Sequence, residues 1–135
     1  MKSPILAASL AGNVIGSQDS SFVVAEWRDA GGGEEPPLLI APLHLHRSDD
    51  ELWYVLEGVL CVQLGDEVIE ARAGAAVMAP AGTPHTFWNP SPDPTRYLLV
   101  MTPRVHRLIE EIHMLEDRSW QSLQALFEKY DSQLF

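Results

Sequence analysis

Between Leu38 and Thr102 the chain is cut at short, regular intervals by glycine and proline turns, and the stretches between them are rich in β-branched and aromatic residues. Leu52-Trp53-Tyr54-Val55-Leu56 and Val59-Leu60-Cys61-Val62-Gln63-Leu64 flank Glu57-Gly58, which reads as a tight hairpin turn. A second turn at Gly65-Asp66 leads into Glu67-Val68-Ile69-Glu70-Ala71. Runs at 74–78, 85–89 and 95–102 continue the series, and Ser21 to Trp27 and Leu38 to His46 precede it. Pro42 points to an edge or a bulge in that last strand. Short strands at even spacing predict an all-β sandwich or barrel.

The chemistry sits on the same strands. Successive side chains of a strand alternate faces, so His44 and His46 aim both imidazoles to one side. Glu51 returns after the turn Arg47-Ser48-Asp49-Asp50, and His85 on a later strand can close the group. Three imidazoles and a carboxylate suit a first-row divalent metal better than calcium or magnesium, which prefer all-oxygen shells.

His44-x-His46-x4-Glu51-x6-Gly58 and Gly74-x5-Pro80-x-Gly82-x2-His85-x3-Asn89 resemble the two sequence motifs of the cupin superfamily. The first departs at its opening glycine, where Leu38 stands. The resemblance implies a double-stranded β-helix, the jelly-roll barrel, over roughly residues 13–103. It also implies a metal site built from His44, His46, Glu51 and His85, holding iron, nickel, manganese, zinc or copper. It assigns Glu51 as the carboxylate ligand, and alternation agrees, since an inward Glu51 turns Trp53 and Val55 inward too; Asp50 is the runner-up. Within the superfamily the chain is similar to the quercetin-dioxygenase-like group. That likeness implies dioxygenase chemistry on a small organic molecule, with Glu51 also serving as a base. A non-catalytic binding or regulatory module and a metal-dependent isomerase or lyase are the alternatives on the same fold.

Trp53 and Phe87 share parity with Glu51 and His85, so they are candidates to line a substrate pocket, with core packing as the competing role. Aromatic residues near the site favour an apolar or aromatic ligand. A sugar phosphate would want an inward cation, and Arg47 is the only basic residue close in sequence. Asn89 reads as a turn residue before Pro90, and His106, Glu110 and His113 as an exposed polar helix face rather than a second metal site.

Past Pro103 the period changes. Val105, Leu108, Ile109, Ile112 and Leu115 make the stripe of an amphipathic helix, and Trp120, Leu123, Leu126, Phe127 and Tyr130 a second, capped by Asp117 or Ser119. The chain thus divides into a barrel, 1–103, and a helical extension, 104–135, packed on the barrel or at the interface of a homodimer. With nine basic and nineteen acidic residues, its net charge of −10 argues against nucleic acid and anionic membranes as partners. No apolar run approaches a membrane span, and the opening Lys2 to Ala11 is a poor signal peptide, short and interrupted by Pro4. The single cysteine, Cys61, fits a reducing, cytoplasmic setting.

Overall fold

The computed structural model describes residues 5–33 and 35–135. Most of the opening run weighed as a signal peptide is described, but Lys2 and Pro4 lie outside these residues. Ten strands run β1 (Val14–Ile15), β2 (Val23–Asp29), β3 (Leu39–His46), β4 (Glu51–Glu57), β5 (Val59–Leu64), β6 (Glu67–Arg72), β7 (Ala76–Ala79), β8 (His85–Trp88), β9 (Thr95–Met101) and, after two helices, β10 (Ser132–Leu134). They form two five-stranded antiparallel sheets, ordered β1-β2-β9-β4-β7 and β10-β3-β8-β5-β6. This is the jelly-roll, or double-stranded β-helix, expected from the strand spacing.

Alternation builds the core. Glu51, Trp53 and Val55 of β4 are buried, as are Thr95, Tyr97, Leu99 and Met101 of β9, while their intervening neighbours are not. The inward faces of the two sheets meet in one cluster that includes Val23, Trp53, Val55, Leu60, Val62 and Phe87. Burial at this level, about 25 cal/mol per Å² of apolar surface, is what holds the sheets together.

One turn differs from its reading. Glu57-Gly58 is not a hairpin, because β4 pairs with β7 and β9 whereas β5 pairs with β6 and β8. The chain crosses here from one sheet to the other. A local turn signal cannot distinguish a hairpin from such a corner, since the partner strands lie far off in sequence. Gly58 has φ +80°, and a Cβ there would lie 2.7 Å from the Pro94 carbonyl oxygen. Gly58→Ala is therefore expected to cost about 1–3 kcal/mol in chemical denaturation; an unchanged midpoint would show that the corner relaxes freely. The turn at Gly65-Asp66 is a genuine hairpin, closing the β5–β6 pair at Leu64 and Glu67.

The C-terminal segment carries α1 (Pro103–Met114), capped by the Thr102 side chain, and α2 (Trp120–Lys129), capped by Ser119. Asp117 supports that second cap by accepting from the Ser119 N–H and the Ser122 hydroxyl. Val105 and Leu108 of α1 are buried, and Leu126 and Phe127 of α2 pack with Leu108 and Leu134. Trp120, placed in the second stripe by periodicity, is exposed instead. The helices meet the barrel of their own chain, where Val105 and Ile109 of α1 join its core cluster. None is long and apolar enough to cross a membrane. The extension also ends in a strand that periodicity did not reveal: β10 joins the free edge of β3.

Candidate metal centre and its cavity

The ligand candidates come together because three neighbouring structures place them. Pro42 disrupts the β3–β8 ladder, whose register shifts on either side of Ala41, and the strand then delivers His44 opposite His85. His46 follows on the same face, and β4 returns Glu51 from the opposing sheet. One ligand atom from each of His44, His46, Glu51 and His85 lies within 4.8 Å of the others, and all four residues are buried. Among the described residues this is the one such cluster.

The hydrogen bonds orient every ring the same way. His44 Nδ1 lies 2.6 Å from the Pro42 carbonyl oxygen and His85 Nδ1 lies 2.9 Å from that of Thr83. A carbonyl only accepts, so in both rings Nδ1 carries the hydrogen and Nε2 turns inward. His46 Nδ1 meets the Ser132 hydroxyl at 2.7 Å. Glu51 Oε2 sits between the inward nitrogens, 3.0 Å from His46 Nε2 and 3.1 Å from His85 Nε2.

Electrostatics follow from that geometry. Burial alone would raise the Glu51 carboxyl, but hydrogen bonds from His46 and His85 hold it far below the usual carboxylate range. Burial works against a charged His85 as well, yet the bond to Glu51 wins and raises it. His44 goes the other way, down to about 4, mainly by burial and secondarily by the charge of His85. The site thus offers an ionised carboxylate and a neutral imidazole held with its lone pair inward. Nitrogen donors with their other ring nitrogen anchored, plus one carboxylate, fit a divalent transition metal. A cation entering there would displace the hydrogens now shared between Glu51 and the two rings.

The neighbouring residues take other roles. Asp50, the runner-up ligand, turns away and accepts from the Ala81 N–H at 2.8 Å. Asp49, in the turn before Glu51, is buried and paired in two contacts with Arg104, at 2.8 and 3.1 Å. Asn89 holds the loop that follows it, donating to the Asp93 carbonyl and accepting from the Ser91 N–H, as a turn residue would.

A cavity of about 210 Å³ opens beside the cluster, with His44, His46 and Glu51 on its wall. Phe87 lines it, as parity suggested. Trp53 does not: it is fully buried behind the site, its ring 5.6 Å from that of His85 and 5.3 Å from that of Phe87. Much of the remaining wall comes from parts of the chain that motif reading did not reach. Val105, Leu108, Ile109 and Ile112 of α1 and Phe127 of α2 close it, with Trp27 and Tyr97 from the other sheet. His113 is exposed, as expected of an outer polar face, and it also lies edge-on to Trp27 at 5.4 Å and borders the cavity. His106 and Glu110 pair with each other at 3.4 Å. The cation of the cavity is Arg118, far from the motifs in sequence, whereas Arg47 is engaged outside with Glu128. An amphipathic stripe marks a helix as packed, but carries no record of which cavity it will roof.

The comparisons with known proteins follow the same outline. A family model described as "Cupin domain" matches residues 30–101, more than half of the chain. A mannose-1-phosphate guanylyltransferase of Salmonella muenchen is 32% identical over 62 residues, which are 46% of this chain and 13% of that protein. The chain spans about half or less of the length of the curated relatives it matches. An uncharacterized conserved protein with a double-stranded β-helix domain from Klebsiella pneumoniae superposes with a TM-score of 0.55 at 26% identity, covering 67% of this chain and 74% of that one. A sugar phosphate isomerase from Silicibacter pomeroyi gives a TM-score of 0.53 at 28% identity, covering 62% of this chain and 51% of that one.

Proposed function

The chain belongs to the cupin family, and from that premise we propose that it is a metal-dependent enzyme handling a small, largely apolar organic molecule, with dioxygenase-like oxidation as its chemistry. The observation that carries this reading is the shared wall: His44, His46 and Glu51 face a cavity whose other sides are mainly aliphatic and aromatic. At about 210 Å³ the cavity is smaller than the roughly 300–1,000 Å³ of drug-sized pockets, which suits a compact substrate. A bound transition metal would supply a redox or Lewis-acid centre there.

The protein's own residues do the rest. Phe87, Tyr97 and Trp27 offer aromatic faces to a flat substrate, and α1 shields it from water. Burial raises the Tyr97 phenol above its ordinary value, with Asp29 and Glu51 adding to the effect, so its hydroxyl stays a donor. Trp27 Nε1 is buried without a hydrogen-bond partner among the described residues, a second donor beside the cavity. Glu51, a carboxylate on the cavity wall, can accept a proton from a substrate hydroxyl or carbon acid.

Oxygen uptake tests the reading. Protein reconstituted with iron, nickel, manganese or copper should consume dioxygen when given an electron-rich enol or catechol-type compound, and zinc should not replace them, having no accessible redox change. Glu51→Gln should keep the fold and lose turnover by roughly 10²-fold. Ligand binding by calorimetry with no uptake under any metal, unchanged by Glu51→Gln, would point to a binding module instead.

Arg118 at the cavity and the likeness to a sugar phosphate isomerase support a second reading, isomerase chemistry on an anionic substrate. That activity would tolerate zinc and ignore dioxygen. An Arg118→Gln variant would then raise the KM for phosphorylated substrates.

A further inference from the structure

Ser132 lies beyond the matched region, which ends at residue 101, yet it touches the centre. Its side chain is fully buried, and β10 places it directly opposite His46 in the ladder with β3. Its hydroxyl oxygen is 2.7 Å from His46 Nδ1 and 3.1 Å from the Tyr130 carbonyl oxygen. A hydroxyl has one hydrogen to give, and a carbonyl oxygen can only accept. The arrangement that satisfies both contacts has the hydroxyl donating to Tyr130 and accepting from His46 Nδ1–H. His46 then presents Nε2 inward, as His44 and His85 do. Those two rings are held by backbone carbonyls only two residues away in sequence. His46 alone depends on a side chain supplied from the far end of the chain.

That far end is fastened to the strand it serves. The Arg47 N–H donates to the Asp131 carbonyl at 2.9 Å, and the Phe135 N–H to that of Leu43 at 3.1 Å. Arg47 also reaches the Ser132 carbonyl at 3.2 Å, and Ser48 donates to Asp131 at 2.6 Å. Leu134, two residues along, is buried against Leu108, Leu126 and Phe127. The segment therefore binds through its backbone and Leu134 independently of the Ser132 hydroxyl, so the two contributions can be separated by mutation.

We propose that Ser132 is a positioning residue, which fixes the ring orientation and Nδ1–H form of His46, so that the metal centre is complete only with β10 docked. This rests on the metal-binding reading of the four-residue cluster. Ligand-orienting partners of this kind typically contribute roughly 10- to 100-fold in metal affinity.

The test uses the full chain, with nickel or zinc alone as probe, in competition with a chelator. Ser132→Ala should bind the metal roughly 10- to 100-fold more weakly, and Ser132→Thr, which restores a hydroxyl, should recover most of the loss. Leu134→Ala loosens β10 without removing the hydroxyl and serves as the comparison at matched thermal stability. In metal-free protein, long-range nitrogen–proton NMR of the imidazoles should report a protonated Nδ1 in His46, and Ser132→Ala should change that signature while leaving His44 and His85 as they are. Equal metal affinity or an unchanged His46 signature in Ser132→Ala would overturn the proposal. So would unchanged metal affinity in Leu134→Ala when amide exchange shows β10 released from β3. Should the unaltered protein take up no metal, the metal reading itself fails, and the His46 signature alone then decides whether Ser132 orients the ring.

Discussion

Replacing His85 by alanine is expected to lower affinity for a divalent transition metal by roughly 10²- to 10³-fold while the barrel stays folded. Four ligands that together supply roughly 10–16 kcal/mol leave a few kcal/mol to each, and 1.4 kcal/mol is a factor of ten. His85 is the ligand candidate furthest in sequence from the His44–His46 pair, and it carries one of the two contacts to Glu51. Removing it also leaves that buried carboxylate with His46 alone. The cost to folding is smaller than the cost to binding, because the hydrogen-bonded strand β8 keeps its pairs with β3 and β5. Metal content by elemental analysis and thermal unfolding should be measured on the same sample. Full metal occupancy in the variant would remove His85 from the centre, and loss of the unfolding transition would make it a structural residue first.

The second large effect is expected at Phe127. Phe127→Ala should cost about 3–5 kcal/mol in denaturant unfolding, as truncation of a buried aromatic ring does. Phe127 is 2% exposed, packs with Leu108, Leu126 and Leu134, lies edge-on to His44 at 5.3 Å, and forms part of the cavity wall. It therefore joins three parts of the molecule: the helices, β10 and the ligand strand. Against a typical stability of about 5–15 kcal/mol such a loss is severe. Phe127→Leu should recover most of it by refilling the volume. A loss below about 1 kcal/mol would mean that the C-terminal segment lies on the barrel without sharing its packing.

What the sequence by itself determined rests on local rules of period and spacing. Alternation along a strand put His44 with His46 and Glu51 with Trp53 and Val55, and the structure keeps both sets buried on one face. The switch to a helical period after Pro103 located α1 and α2 almost to the residue. Proline in β3 announced the irregularity that the ladder shows at Ala41. Motif spacing placed His85 with His44, His46 and Glu51, and the structure brings the four together, because the family pattern already encodes a tertiary contact.

Tertiary structure alone decided the features with no local signature. Glu57-Gly58 became a corner between sheets because β4 found its partners in β7 and β9, a choice made by long-range pairing. Parity placed Trp53 and Phe87 inward alike, but an inward direction leads either to the cavity or to the core behind it, and depth along the barrel put only Phe87 on the wall. Arg118, His113 and Ser132 reached the site from a segment whose sequence shows only amphipathic stripes and a short polar tail. A strand as short as β10 has too few residues to show a period, and it exists because β3 offered an open edge while Leu134 found a place among the helices' buried side chains.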